Sequence, residues 1–461
     1  MLSNQNEIIV ARNHLRGAMK LQADGDLAAA EARYRLVVDL GYRLTEVLPI
    51  LAGLLARRDA LDEAVEQWDA LLAIDADHPV ALHEKSLLLD RLGRSDEAVA
   101  CLERSCRAAP DDAIAANNYA VMLAREGRTM DALTEWRRAL AVQPDNIQLR
   151  HQMRRLCTEQ VPFWHIPMMN DTRRNDAFEA AIEVAIASRG PNARVLDIGT
   201  GSGLLSMMAA RAGAESVVAC EAVPIIADMA RQIVAANGFA DKIDVFAKPS
   251  TYLEVGVELD APADILVSEI LSSDLLTEAV LDTFEDAHRR LLKDDAIVIP
   301  RAASAIGCLV ESDVLKDYVF VDRVSGFDLS RFGDFAAMKL PIHGTMTDWR
   351  RLSADIELVR VDLTKKRHES DLQVLSVPVV ADGVATGIVQ WMQIDLAEGI
   401  SFDNHPDGYS DGGWLQILHN FPQPIQVRAG EVLDLAVGHD RITLIVQPAP
   451  KVALTAVAQA A

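Results

Sequence analysis

Residues 195–203 read VLDIGTGSG and run directly into LLSMMAARAG at 204–213. A short apolar run, three glycines at alternate positions (Gly199, Gly201, Gly203) and an apolar helical segment describe a strand turning sharply into a helix. Glycine there permits a tight turn and lets backbone approach a ligand at the helix N-terminus. A dinucleotide fingerprint needs its third glycine one place later, where this chain has Leu204. Outward from the loop, apolar runs alternate with helical segments: SVVACE (216–221), IDVFA (243–247), DILVSE (264–269) and DAIVIP (295–300). That series predicts βαβ units around a parallel sheet.

The spacing G-x-G-x-G, with Asp197 two residues ahead of it, resembles motif I of class I methyltransferases. The resemblance implies S-adenosylmethionine as cofactor, its methionine portion lying over the loop. Glu221 ends the second run, where a carboxylate accepts ribose hydroxyls, and Ser250 and Thr251 follow the third, on the adenine side. As residue types, Ser250 and Thr251 fit a helix cap equally well.

Ligands of open α/β sheets bind beyond the carboxyl ends of the strands, so the segment SEILSSDLLTEAV (268–280) faces the reacting methyl. Glu269 and Glu278 stand nine residues apart in it, outside the apolar pattern. Two carboxylates suit a guanidinium, which is planar, permanently charged and binds in bidentate fashion. They disfavour the neutral amine that lysine methylation requires. This segment resembles the double-glutamate loop of protein arginine methyltransferases.

Just before the sheet, FWHIPMMNDTRRNDAFEAAI (163–182) carries H-x-x-M-x-x-D-x-x-R as His165, Met168, Asp171 and Arg174. It resembles the cofactor-covering helix of the same family. The resemblance implies that Arg174 holds the cofactor carboxylate, that His165 and Met168 line its pocket, and that Asp171 sits by the substrate. After Pro300, strand-like runs SAIGCLV (304–310), GIVQWMQID (387–395), VLDLAV (432–437) and RITLIVQ (441–447) match the family's C-terminal β-barrel. Departures are specific. The family's Thr-His-Trp is matched by GGW (412–414), which keeps Trp414 for the substrate site and puts Gly413 at the histidine position. In the family that histidine pairs with the aspartate matching Asp171, so proton removal is left to Glu278 or water. Aromatic residues of the loop are replaced by Ser272, Ser273 and Asp274, which predicts a wider pocket.

The first 150 residues repeat every 34. Ala30, Ala64, Ala98 and Ala132 are in register, as are Tyr34, Trp68, Leu102 and Trp136, and Ala18, Ala52, Ser86 and Ala120. Gly25, Gly93 and Gly127 mark the turns, with Asp59 at the second, and Pro110 and Pro144 close two repeats. Close-packing small residues, a turn glycine and a helix-stopping proline at this period resemble the tetratricopeptide repeat. Such stacks usually present a concave surface to a partner protein.

The expected architecture is therefore multidomain α+β. Four repeats span 9–150, a Rossmann-like core with its covering helix 158–301, and a β-barrel 302–450. The 461 residues carry 45 basic and 68 acidic side chains, a formal charge of −23, which favours a basic protein or peptide substrate over nucleic acid. Five scattered cysteines, no metal-ligand spacing, no signal-like start and no 18-residue apolar run predict a reduced cytoplasmic enzyme free of the membrane. The family resemblance places a dimerisation arm in about Tyr318–Trp349. Two alternatives stay open in the sequence: methylation of a different residue or a small molecule, and a non-catalytic repeat scaffold.

Overall fold

The computed structural model describes residues 5–408 and 413–450. The chain divides into two compact units between Gln160 and Val161. The first contains helices α1 (Gln5–Ala23), α2 (Leu27–Asp39), α3 (Leu44–Arg57), α4 (Leu61–Ile74), α5 (Pro79–Arg91), α6 (Ser95–Ala108), α7 (Ala113–Arg125), α8 (Thr129–Val142) and α9 (Ile147–Gln160). They pack as successive helical pairs, each against the next. The 34-residue register is the reason. Ala30, Ala64, Ala98 and Ala132 are wholly buried and Tyr34, Trp68, Leu102 and Trp136 are buried with them, Tyr34 and Trp136 each hydrogen-bonding across to the paired helix at Gln22 and Asn117. Gly25, Gly93 and Gly127 adopt positive φ at the turns, and Asp59 takes φ 66° at the equivalent position. Aspartate tolerates the left-handed region better than most non-glycine residues.

The second unit opens with a short helix, α10 (His165–Asn170), and α11 (Thr172–Arg189). Next come β1 (Arg194–Ile198), α12 (Leu204–Arg211), β2 (Ser216–Cys220), α13 (Pro224–Ala236), β3 (Ile243–Phe246), β4 (Ala263–Ser268), α14 (Val280–Arg290) and β5 (Leu292–Ile299). The five strands form a parallel sheet in the order β3-β2-β1-β4-β5. Strand order reverses between β1 and β4, which opens a crevice at their carboxyl ends.

The chain continues through β6 (Ala302–Glu311), α15 (Asp313–Val319), the hairpin β7 (Arg323–Val324) and β8 (Phe327–Asp328), β9 (Lys339–Pro341), β10 (Arg350–Arg351) and β11 (Ile356–Asp362). It ends with β12 (Asp371–Pro378), β13 (Gly383–Ala397), β14 (Ile400–Asp403), β15 (Ile417–Val427), β16 (Val432–His439) and β17 (Leu444–Pro448). Seven of these strands form an antiparallel sheet along β10-β6-β13-β15-β9, with β11 also on β6 and β14 on β13; β12-β16-β17 form a second. The run expected from Arg441 starts as a strand only at Leu444. Arg441 has φ 84°, and the Asp440 carboxylate accepts from the Ile442 and Thr443 amides, so these residues make a turn.

Helix α11 packs on β4 and β5 on one side and on β13 and β14 on the other. One core containing Phe178, Phe284 and Phe421 therefore runs from the parallel sheet into the antiparallel strands. Among the described residues no helix is long and apolar enough to cross a membrane.

Candidate active site

The glycine loop forms at the carboxyl end of β1. The amides of Gly199 and Thr200 donate to the carbonyl of Cys220 at 2.9 and 3.1 Å, and that of Gly203 donates to Thr200 at 2.8 Å. All three glycines have positive φ, between 55° and 82°. At Gly199 a Cβ would also collide with Ile270, so the loop after β4 rests directly on this glycine. Beneath the turn lies Asp197, with no solvent exposure. Its Oδ2 accepts from Thr200 Oγ1 at 2.7 Å and Ser206 Oγ at 2.5 Å, whereas its Oδ1 is buried without a partner. Burial raises its carboxyl to about 6.

Glu221 leaves the end of β2 with both oxygens oriented: Oε2 accepts from the Gly201 amide at 3.2 Å and Oε1 from the Val223 amide at 2.9 Å. Ser250 is buried in the 3-10 turn 250–252 that follows β3.

The motif at 165–174 is divided by the structure. Helix α10 ends at Asn170, and Asp171 caps α11, accepting from the Arg174 amide at 3.1 Å. A capping carboxylate satisfies one of the free amides at a helix start, which is why the chain breaks there. Burial raises the Asp171 carboxyl. Arg174, one turn on, projects beneath two rings, 5.1 Å from Phe178 and 5.7 Å from Trp414. Its Nη2 donates to Glu269 Oε2 at 2.6 Å, its Nη1 to Asn175 at 2.8 Å, and its buried Nε has no partner.

Glu269 and Arg174 side chains are only 5% and 4% exposed. Burial pushes the Glu269 carboxyl up to about 7, with the Arg174 charge opposing and the charges of Glu278 and Asp197 adding. Glu278 is exposed. Partial desolvation raises its carboxyl, His165 opposes, and Glu221 adds. Residues from α10, α11, β1, β2 and the loop after β4 thus share one electrostatic field. A buried acid with a raised pKa among charged neighbours in a crevice is the pattern of a functional site.

His165 is half-buried, with Nδ1 3.2 Å from the Pro162 carbonyl. Trp414 is buried, and its Nε1 donates to the Leu271 carbonyl at 2.7 Å, so its polar contact is to the double-glutamate loop. Gly413 lies against Met168: a Cβ there would be 2.7 Å from Met168 Cβ and 2.8 Å from its Cα. The close approach explains glycine at this position. Gly412 of the same motif lies outside the described residues.

Sequence reading missed the residues that hold the loop from the antiparallel side, namely Lys339, Gln390 and Thr443. The signal was the change from aromatic to polar at Ser273 and Asp274, since short polar side chains in a loop under a domain contact need partners.

The residues present fit S-adenosylmethionine. The loop leaves open space above Gly201, and the buried Asp197 Oδ1 and Arg174 Nε lack partners. A carboxylate is poised at the end of β2, and a half-buried methionine lies on α10.

Residues 180–300 match the family described as ribosomal protein L11 methyltransferase. An arginine N(omega)-methyltransferase of Streptomyces achromogenes subsp. streptozoticus is 38% identical over 63% of this chain and 80% of its own length. Protein arginine N-methyltransferase 7 of Drosophila ananassae is 30% identical over 60% of this chain and 46% of its own, and that of Oryza sativa subsp. indica 35% over 52% and 36%. The chain thus spans less than half the length of these last two relatives. Among solved structures, the Trypanosoma brucei PRMT1 enzyme–prozyme heterotetrameric complex with AdoHcy superposes with a TM-score of 0.53 at 24% identity, covering 60% of this chain and 89% of that one.

Proposed function

The chain belongs to the arginine N-methyltransferase family, and on that premise we propose that it methylates a guanidinium nitrogen of arginine in a protein substrate, with S-adenosylmethionine as donor. One observation carries the reading: the buried carboxylate Glu269, at the carboxyl end of β4 beside the glycine loop, shares a charge field with Glu278 nine residues on and already accepts a guanidinium at 2.6 Å. A bound cofactor supplies an electrophilic methyl on a sulfonium. Gly199, Gly201 and Gly203 let the backbone approach it, Glu221 takes the ribose, Asp197 braces the turn, and Ser250 lies on the adenine side. Arg174 takes the carboxylate, and His165 and Met168 cover the pocket. Glu269 and Glu278 clamp the substrate guanidinium so that one nitrogen faces the methyl, and catalysis comes from alignment and charge. Gly413 offers no imidazole, so Glu278, exposed and raised in pKa, takes the proton. Asp171 and Trp414 border the substrate.

The finer architecture belongs to the same proposal. Residues 9–150 are four tetratricopeptide repeats that recruit a partner protein, 158–301 are the methyltransferase domain, and 302–450 are a β-barrel forming the far wall of the site. Tyr318 on α15 and Phe327, Phe332, Phe335 and Met338 after it are exposed aromatic and apolar side chains, which supports a homodimer through this arm. An acidic chain of this kind works on basic proteins of the cytoplasm.

The test is methyl transfer from isotope-labelled S-adenosylmethionine to an arginine-rich protein, a lysine-rich one and free arginine, read by mass spectrometry. Label on protein arginine is expected. Label on free arginine alone, or on lysine, overturns the protein-arginine assignment.

A further inference from the structure

The loop from Glu269 to Ala279 is fastened to the antiparallel strands by its polar middle. The side chain of Asp274 is 11% exposed, and its Oδ2 accepts from Lys339 Nζ at 2.7 Å and from Thr443 Oγ1 at 2.9 Å. Lys339 Nζ also donates to Thr443 Oγ1, closing a three-membered cluster. Next to it, Ser273 Oγ accepts from the Leu415 amide at 3.0 Å and the Ser273 carbonyl from Gln390 Nε2 at 3.2 Å. Gln390 is wholly buried, and its Oε1 faces His419 Nε2 at 3.2 Å. Burial drives the His419 imidazole down to about 3, so it is neutral and can serve this network as a hydrogen-bond donor.

The residue after these anchors is Leu275, buried at φ 67°. A left-handed leucine is strained and persists only where its surroundings impose it. The Leu275 amide donates to the Ser272 carbonyl at 2.8 Å, so the loop turns here, three residues before Glu278.

We propose that Lys339, Asp274 and Thr443 form a positioning latch that sets Glu278 against Glu269 for the substrate guanidinium. The proposal rests on the reading that this loop receives arginine. None of the three touches the reacting atoms. The latch works because a largely buried charge pair has one good arrangement, and losing either partner leaves the other charge uncompensated. Lys339 is also the first residue of β9, directly after the exposed Met338, so the latch ties the substrate loop to the segment expected to form the arm.

The experiment measures kcat, KM and cofactor affinity of the full chain carrying Lys339→Met, Asp274→Asn, both, or Lys339→Arg, with Glu278→Gln in parallel. The latch predicts kcat/KM for an arginine peptide lower by about tenfold or more in each single variant, as expected for a displaced binding group. Calorimetric affinity for S-adenosylmethionine stays within about twofold, the double variant is no worse than the singles, and Lys339→Arg recovers part of the loss. Wild-type kcat/KM in Lys339→Met, or cofactor affinity falling in step with activity, overturns the latch. If Lys339→Met does not fold, Thr443→Val removes one donor and leaves the ion pair; about a threefold fall in kcat/KM is expected, and no change overturns the proposal. An active Glu278→Gln enzyme points instead to failure of the arginine-site reading.

Discussion

In the proposed reaction Glu269 is the residue that receives the substrate guanidinium. Its side chain is almost fully buried, and its carboxyl is raised to about 7, mainly by desolvation. A guanidinium binds the carboxylate and not the acid, so arginine capture is weak where Glu269 is protonated. The direction follows: kcat/KM for the arginine substrate rises with pH and levels off above about 7, a limb belonging to the free enzyme. In kcat the limb moves to lower pH, because the bound cation favours the charged form. A pH–rate profile checks this, and Glu269→Gln should lose the limb along with most of the activity. A limb at the ordinary carboxylate range would place the titration on another group. Asp197 differs in kind, since its neighbours Thr200 and Ser206 are local and its work is to hold the turn.

At the scale of elements, what was legible in the sequence is what local pattern and spacing carry. The glycine turn after β1, the carboxylate ending β2 and the two glutamates after β4 could be read because parallel strands put their carboxyl ends on one edge. The 34-residue register was legible for a similar reason: each copy repeats the same packing problem. Less legible were features set by distant contacts. Asp171 caps α11 and divides the motif that contains it, and β15 carries Pro422 and Pro424, which weaken any strand signal. The pairing of Asp274 with Lys339 joins residues 65 apart and leaves no spacing to find. Gly413 shows how an apparent loss is explained by packing. Because a Cβ there meets Met168 backbone at 2.8 Å, restoring the family's histidine by Gly413→His should displace α10, not supply a base. The expected outcome is activity lower by about tenfold or more, with a lower thermal midpoint, as overpacking in a tight contact costs about 1–3 kcal/mol. Higher activity in this variant would show that α10 can move to admit the ring.

At the scale of the molecule, charge and architecture bear on substrate choice. The chain's acidic surplus of 23 lies mostly after residue 160, in the unit that holds the site, while the helical unit is nearer to balance. A negative field around a carboxylate-lined crevice attracts basic, arginine-bearing segments and suits them over nucleic acid. Under the proposed function the helical unit captures a partner and the other unit aligns the reacting nitrogen. The most direct measurement of the central claim is labelled methyl transfer to an arginine peptide by the wild-type chain and by Glu278→Gln, with S-adenosylmethionine affinity determined for both. Glu278 is the better probe because it is exposed and, unlike Glu269, has no ion pair with Arg174 to disturb. The account predicts label on arginine that falls by about a hundredfold or more in Glu278→Gln while cofactor affinity holds, the size of effect found when one group aligned on a transition state is removed. Undiminished arginine label in that variant would contradict it.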